Sequence, residues 1–224
     1  TYAGFLAHTD HEVGRLVQSL KDSGEFEHTL FIYIVGDNGG GAEGGLKGSI
    51  SYMGAIQGLP EDRVKTLSRL DSFGGPDTYA QYPSAWAWAM STPLQWMKTV
   101  ASHLGATRNP MVVTWPARIR DRGGLRSQFG HVNDILPTVL EAPERHRTQY
   151  FEVYGHRALY HDGWMASAFH ARLPWQVISR DQKPFEADTW ELYDLRNDFS
   201  QAHDLATQEP GRLKALQALF TEEA

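Results

Sequence analysis

The run Thr29-Leu-Phe-Ile-Tyr-Ile-Val-Gly-Asp-Asn-Gly-Gly40 constrains the fold more than any other stretch. Residues 29–35 are β-branched, aromatic or aliphatic, with no polar alternation, and such a run reads as a buried strand. Ahead of it, Tyr2, Phe5, Leu6, Val13, Leu16, Val17 and Leu20 fall near one face at helical period, and Gly24 supplies a stop. A helix over 2–22 followed by an apolar strand predicts an αβ unit in a mostly parallel sheet. The strand breaks at Gly36 and presents Asp37 and Asn38 at its carboxyl end, where α/β sheets place their chemistry.

Two readings of Asp37-Asn38 follow from the residues alone. A carboxylate beside an amide oxygen is half of a hard-cation site, for Ca²⁺ or Mg²⁺. Asn38-Gly39 is equally a turn in which both residues supply positive φ.

Bulk properties narrow the class. The 224 residues suffice for one large domain, or for most of one with a small appendage. A net charge of -6 argues against a nucleic-acid partner, which calls for a basic patch. No apolar run reaches bilayer-spanning length. With no cysteine, these residues hold no disulfide, thiolate metal site or Cys nucleophile. Thr1-Tyr-Ala-Gly-Phe-Leu-Ala-His reads as the middle of a longer chain, so a fragment or a processed chain is expected and the compartment stays open.

Residues 36–90 are loop-rich, with glycines at 39–41, 44–45 and 74–75 and a short helix over 61–71. Tyr79, Tyr82, Trp86 and Trp88 in that stretch either wall a pocket or pack in a core. Residues 93–101 read as irregular or briefly helical, and Pro110–Trp115 as a second short buried strand closed by Pro116. His131–Leu140 opens a helix with Asn133 or Asp134 as its cap. From 148 the segments 150–154, 157–160, 164–168 and 190–194 alternate with Gly, Asp and Pro, as an antiparallel meander does, and Leu213–Phe220 closes the chain as an amphipathic helix. The expected division is 1–145 and 146–224.

Two further residues could carry chemistry. Lys98, after the apolar Ser91–Met97, is either a point-charge clamp on an oxyanion or a lysine snorkelling off an apolar stretch. His103, five residues on, either serves an anionic substrate and its leaving group or is structural. His131, His156, His161 and His170 match no zinc-ligand spacing and read as structural or surface residues. Asp188, Asp194, Asp198 and Asp204 read as turn and cap residues. There is no P-loop, no dinucleotide fingerprint and no nucleophile elbow.

Several short motifs share one order: Asp10–Leu20 with Thr29–Gly39, Gly74–Tyr79, Ser91–Lys98, His103–Pro116, His131–Leu140, Gly155–Trp164 and Trp190–Leu195. Together they resemble the C-terminal part of a type I, formylglycine-dependent sulfatase, the arylsulfatase family with an alkaline-phosphatase-like fold. The resemblance implies an α/β fold, a mixed sheet flanked by helices, with a small C-terminal antiparallel sheet plus helix. It implies that Asp37 and Asn38 are the family's late calcium ligands and that Lys98 contacts the sulfate ester. It matches His103 to the histidine of a Lys-x4-His-x-Gly-Gly pattern and to the substrate pocket, although Gly105-Ala106 stands in place of the double glycine.

The family's nucleophile is a formylglycine made in a Cys/Ser-x-Pro-x-Arg motif that these residues lack. The resemblance therefore assigns that nucleophile and the early aspartate pair to an N-terminal part of the same protein. It implies a small-molecule sulfate ester as substrate, Ca²⁺ (Mg²⁺ as the alternative) as cofactor, and no turnover by the 224 residues alone. A phosphonate monoester or phosphodiester hydrolase of the same superfamily, and a non-catalytic module with the same fold, are the alternatives.

Overall fold

A computed structural model of the chain describes residues 1–36, 38–140, 146–176 and 183–224. Helix α1 spans Tyr2–Asp22, as its periodicity predicts. It stops where the amides of Gly24 and Glu25 donate back to the carbonyls of Lys21 and Leu20. Its apolar face is open: Tyr2, Phe5, Leu6 and Leu16 are exposed.

Strand β1 (Phe31–Ile34) then leads to the Asn38 turn. Short helices α2 (Tyr52–Ile56), α3 (Arg63–Leu67), α4 (Ser84–Ser91) and α5 (Leu104–Thr107) precede β2 (Met111–Thr114). Helix α6 (Ile135–Val139) follows a single 3-10 turn, which His131 and Asp134 cap reciprocally. Asp134, one of the two expected caps, is also the N-cap of α6.

Two expectations about the first strands are corrected. β1 and β2 pair antiparallel, Phe31 opposite Thr114 and Ile34 opposite Met111, so the described ribbon is not parallel. Nor are they buried strands, since Ile34, Met111, Val112 and Val113 are exposed. An unbroken apolar run records strand propensity but neither its partner's direction nor what covers its faces.

The C-terminal meander forms as the turn spacing predicts. β3 (Thr148–Val153), β4 (His156–His161), β5 (Trp164–Ala168) and β6 (Trp190–Asp194) pair antiparallel in the order β3-β4-β5-β6. Tyr154-Gly155 and Asp162-Gly163 close the first two hairpins, with positive φ at all four residues, as two-residue turns of this hand require.

Strand alternation sends two side-chain rows to opposite faces. Tyr150, Leu159, Ala166 and Leu192 face helix α7 (Pro210–Glu223), where Leu216 and Phe220 complete a core. Ala158 and Met165 on the other side pack with Leu104, Leu94 and Phe151. The segment 94–107 is thus the second layer over this sheet. The division expected at 145 falls outside the described residues.

Asp188 departs from the turn role expected of it. Its side chain is wholly buried, and Arg157 (2.6 Å), His170 (2.9 Å) and Lys183 (3.2 Å) converge on it. Burial pushes its carboxyl up, but the hydrogen bonds from His170, Lys183 and Arg157 outweigh that and hold it below the usual range. Asp194, Asp198 and Asp204 do accept local backbone N–H bonds at turns.

His156 opens β4 and is buried, its Nδ1 accepting the backbone N–H of His170 at 3.1 Å. Desolvation, helped by the nearby charges of His170, Arg172 and His103, lowers its pKa to about 4. The folded state therefore favours the neutral ring. The associated stability is present above about pH 6.5, the unfolded value, and is lost as pH falls toward the folded value, about 3 kcal/mol in all. Denaturant unfolding at pH 7 and pH 5 should show the native chain losing more stability on acidification than His156→Gln. Equal losses would remove this histidine from the acid sensitivity.

Candidate functional site

Asn38 and Lys98 lie sixty residues apart in sequence and meet because two glycines let their backbones touch. A Cβ on Gly39 would overlap the carbonyl oxygen of Gly105 and crowd the backbone nitrogen of Lys98. A Cβ on Gly105 would overlap the carbonyls of Gln95 and Trp96. Gly39 also holds φ +85°, which L side chains rarely adopt. The glycine tract after Asn38 is therefore required for close approach, beyond its turn role. Gly41 N–H fixes the loop by donating to the Tyr82 hydroxyl at 3.0 Å.

Lys98 projects from a strained, anchored segment. Met97 beside it is buried against Ala42 and Ala87, and residues 100–106 are buried without interruption. Trp96 and Thr99, on either side, hold positive φ of 63° and 80°. Such conformations in non-glycine residues persist only where the surroundings impose them. Thr99 Oγ1 is buried with no hydrogen-bond partner.

These residues border a cleft of about 280 Å³. Asn38, Lys98, Thr99, Ala101, Ala106 and Thr107 form most of its wall, and Val153 and Tyr154 from the tip of the β3–β4 hairpin complete it. Lys98 Nζ is 2.8 Å from Glu43 Oε1. That hydrogen bond raises the Lys98 pKa and outweighs the lowering due to burial, with Tyr52 and Tyr82 adding smaller upward contributions. Lys98 thus lines the cleft with its ammonium charged and held by a carboxylate of the same chain, and neither Glu43 nor the two tyrosines is among the cleft-lining residues. A tetrahedral oxyanion is the natural competitor for that charge.

His103 takes a different place. It is 1% exposed, outside the cleft wall, behind the segment that carries Lys98. Its Nδ1 lies 2.9 Å from Ser102 Oγ, and its Nε2 lies 3.2 Å from Glu191 Oε2 on β6. The second contact has ion-pair length without hydrogen-bond alignment, so that buried oxygen lacks a donor. Serine, histidine and glutamate here share the composition of a nucleophilic triad, but Ser102 is fully buried and offers substrate no path.

Asp37 lies outside the described residues, so the structure places only Asn38 of the expected cation pair. Among the described residues, no three His, Cys, Asp or Glu side chains are grouped to hold a metal. Ca²⁺ takes six to eight oxygens. Asn38 has the right donor chemistry, but the described residues do not by themselves fit a complete site.

Two site residues escaped the sequence reading. Glu43 sits in the same glycine tract as Asn38, and an acidic residue in a tract built for close approach was the available signal. Tyr154 had only its place before a glycine at a hairpin tip. Conversely, Tyr79, Tyr82, Trp86 and Trp88 do not border the cleft. Tyr82 packs on Tyr2, Tyr79 on Tyr52 and Trp88 on Trp96, while Trp86 is exposed.

The family model described as Sulfatase matches residues 1–143, which include Asn38, Lys98 and His103. The chain belongs to the sulfatase family. It is 27% identical over 238 residues to an uncharacterized sulfatase of Schizosaccharomyces pombe, covering 96% of this chain and 41% of that protein. It is 24% identical over 140 residues to an arylsulfatase of Klebsiella aerogenes, covering 62% of this chain and 28% of that protein. A solved structure from work on the metabolism of multiple glycosaminoglycans by Bacteroides thetaiotaomicron superposes with a TM-score of 0.51 at 14% identity, over 96% of this chain and 42% of that one. The sulfatase chain thus spans less than half the length of each of these relatives. The mixed α/β architecture, in its partial alkaline-phosphatase-like form, agrees with that likeness.

The segment carrying Lys98 is tied to the C-terminal sheet by Gln201, which is fully buried. Its Oε1 accepts the Leu104 N–H at 2.6 Å, its Nε2 donates to Ser167 Oγ at 3.2 Å, and its backbone carbonyl accepts from Gln95 Nε2. Gln201→Leu strands the buried Leu104 N–H, at a cost of about 1–3 kcal/mol in denaturant unfolding, and should speed amide exchange at Leu104. At the cleft, Glu43→Gln should lower the Lys98 pKa, read from the lysine ε-carbon by NMR titration. An unchanged titration would show that the ion pair does not govern that ammonium.

Proposed function

We propose that this sulfatase chain supplies part of the active site of a sulfate ester hydrolase of the arylsulfatase type. The observation that carries this reading is the cleft itself, where Lys98, kept charged by Glu43, stands beside Asn38 in a chain of the sulfatase family. Lys98 binds the ester's sulfuryl oxygens, leaving Glu43 as the anion arrives, and offsets the charge those oxygens gain as the S–O bond breaks. Asp37 and Asn38 are the oxygen donors this chain would give to a Ca²⁺ or Mg²⁺ ion. When bound, such a cation would polarise the same oxygens. His103 stands behind Lys98 and acts on the site through the segment that holds both.

The nucleophile, a formylglycine in the family's pattern, lies outside these 224 residues in this reading, and an N-terminal part of the same protein is the partner that brings it. The purified chain alone should show no turnover of 4-nitrophenyl sulfate. In a longer polypeptide that carries these residues and hydrolyses the ester, Lys98→Ala should cost on the order of 10²–10³ in turnover. Asp37→Ala should abolish the response to added calcium. Turnover by the chain alone would defeat the division of the site between two segments, and full activity in Lys98→Ala would defeat the site.

A further inference from the structure

We infer that Tyr154 is the specificity-determining platform of this cleft, on which the ring of an aryl sulfate ester stacks while Lys98 holds its sulfate. The inference rests on the reading of the cleft as a sulfate-ester site and goes beyond it by naming the residue that selects the leaving group.

Three observations carry it. First, Tyr154 borders the same cleft as Asn38 and Lys98, yet it comes from the C-terminal sheet. It lies beyond the residues 1–143 that the family model matches. It remains 60% exposed although most aromatic neighbours of the sheet are packed.

Second, its backbone is held where tyrosine is uncommon. The hairpin at Asp162-Gly163 uses an aspartate at the first turn position, a residue suited to positive φ; the hairpin at Tyr154-Gly155 puts a bulky aromatic there, at φ 54°. A strained residue at a tip that borders a cleft is a residue kept for its side chain.

Third, the tip is built to keep that ring in place. A Cβ on Gly155 would meet the His170 ring at 2.6 Å, so the turn lies directly on His170. His170 in turn is pinned by the buried Asp188 carboxylate at 2.9 Å. Gly155 N–H donates to Glu152 Oε1 at 2.7 Å. The Arg172 guanidinium sits 4.0 Å from the centre of the Tyr154 ring and restrains its tilt. A pre-positioned ring in a cleft that Lys98 also lines suits a ligand with an anionic head and a flat aromatic body.

The test compares two probes, phenyl sulfate and methyl sulfate, as competitors of 4-nitrophenyl sulfate hydrolysis by the longer polypeptide that carries these residues, so that each inhibition constant reads binding at the assembled site. Phenyl sulfate should bind about 3- to 10-fold more tightly, the advantage expected of one aromatic contact. Tyr154→Ala should bring the ratio to about one with methyl sulfate unaffected, and Tyr154→Phe should keep it. Tyr154→Asn removes the ring and suits a two-residue turn better than tyrosine does, so loss of the ratio there cannot be laid to a lost hairpin. A ratio unchanged in Tyr154→Ala and Tyr154→Asn, with both esters weakened by Lys98→Ala, overturns the platform and leaves the sulfate site standing. Failure of both esters to bind, or binding indifferent to Lys98→Ala, overturns the sulfate site and the platform with it.

Discussion

One buried amide holds the two halves of this structure in register. Gln201 follows the last strand of the meander, yet its side chain caps the backbone of Leu104 and its carbonyl is met by Gln95. The segment from 94 to 107 has almost no regular structure of its own, so its backbone groups depend on partners of this kind. Without that tie, the residues that bring Lys98 to the cleft would be a loop lying on a sheet. With it, they form a second layer whose apolar side chains meet Ala158 and Met165.

The cleft follows from the same layer. Its chemistry is modest: among the lining residues, Lys98, Asn38 and Tyr154 bring an amine, an amide and an aromatic ring. Its geometry is costly, since two non-glycine residues flank Lys98 at positive φ and two glycines are pressed against foreign backbone. Strain of that kind near a charged side chain is compensated by the buried stretch behind it, from Val100 to Ala106. His103 belongs to that compensation, wedged between Ser102 and Glu191.

Much of the fold was legible in the sequence because local signals and tertiary outcome agreed. Helix α1 stands where its seven apolar positions fall at helical period, and the meander follows the Gly and Asp punctuation between residues 148 and 194. The failures share a cause. The apolar run before Asp37 was the strongest local signal in the chain, yet strand direction and burial depend on what lies alongside, which no local pattern encodes. Asp188 looked like its turn-forming neighbours because Arg157 and His170, far from it in sequence, join Lys183 around it only after folding.

For the site, residue chemistry alone left Asp37, Asn38, Lys98 and His103 open between site and structural roles, and only their motif context pointed to the sulfatase family and its site. Spacing in sequence made His103 a companion of Lys98. The structure turns the two apart, because the backbone of 98–103 winds through a buried turn that sends the lysine to the cleft and the histidine to the core. Glu43 and Tyr154 became part of the site only through long-range contact, one across a glycine loop and the other from a hairpin of the second sheet. The sequence by itself determined the family, the helix, the meander and the polar groups available, all of which rest on local pattern. Only the tertiary structure decided which of those groups share a cleft, because that depends on which backbones can touch.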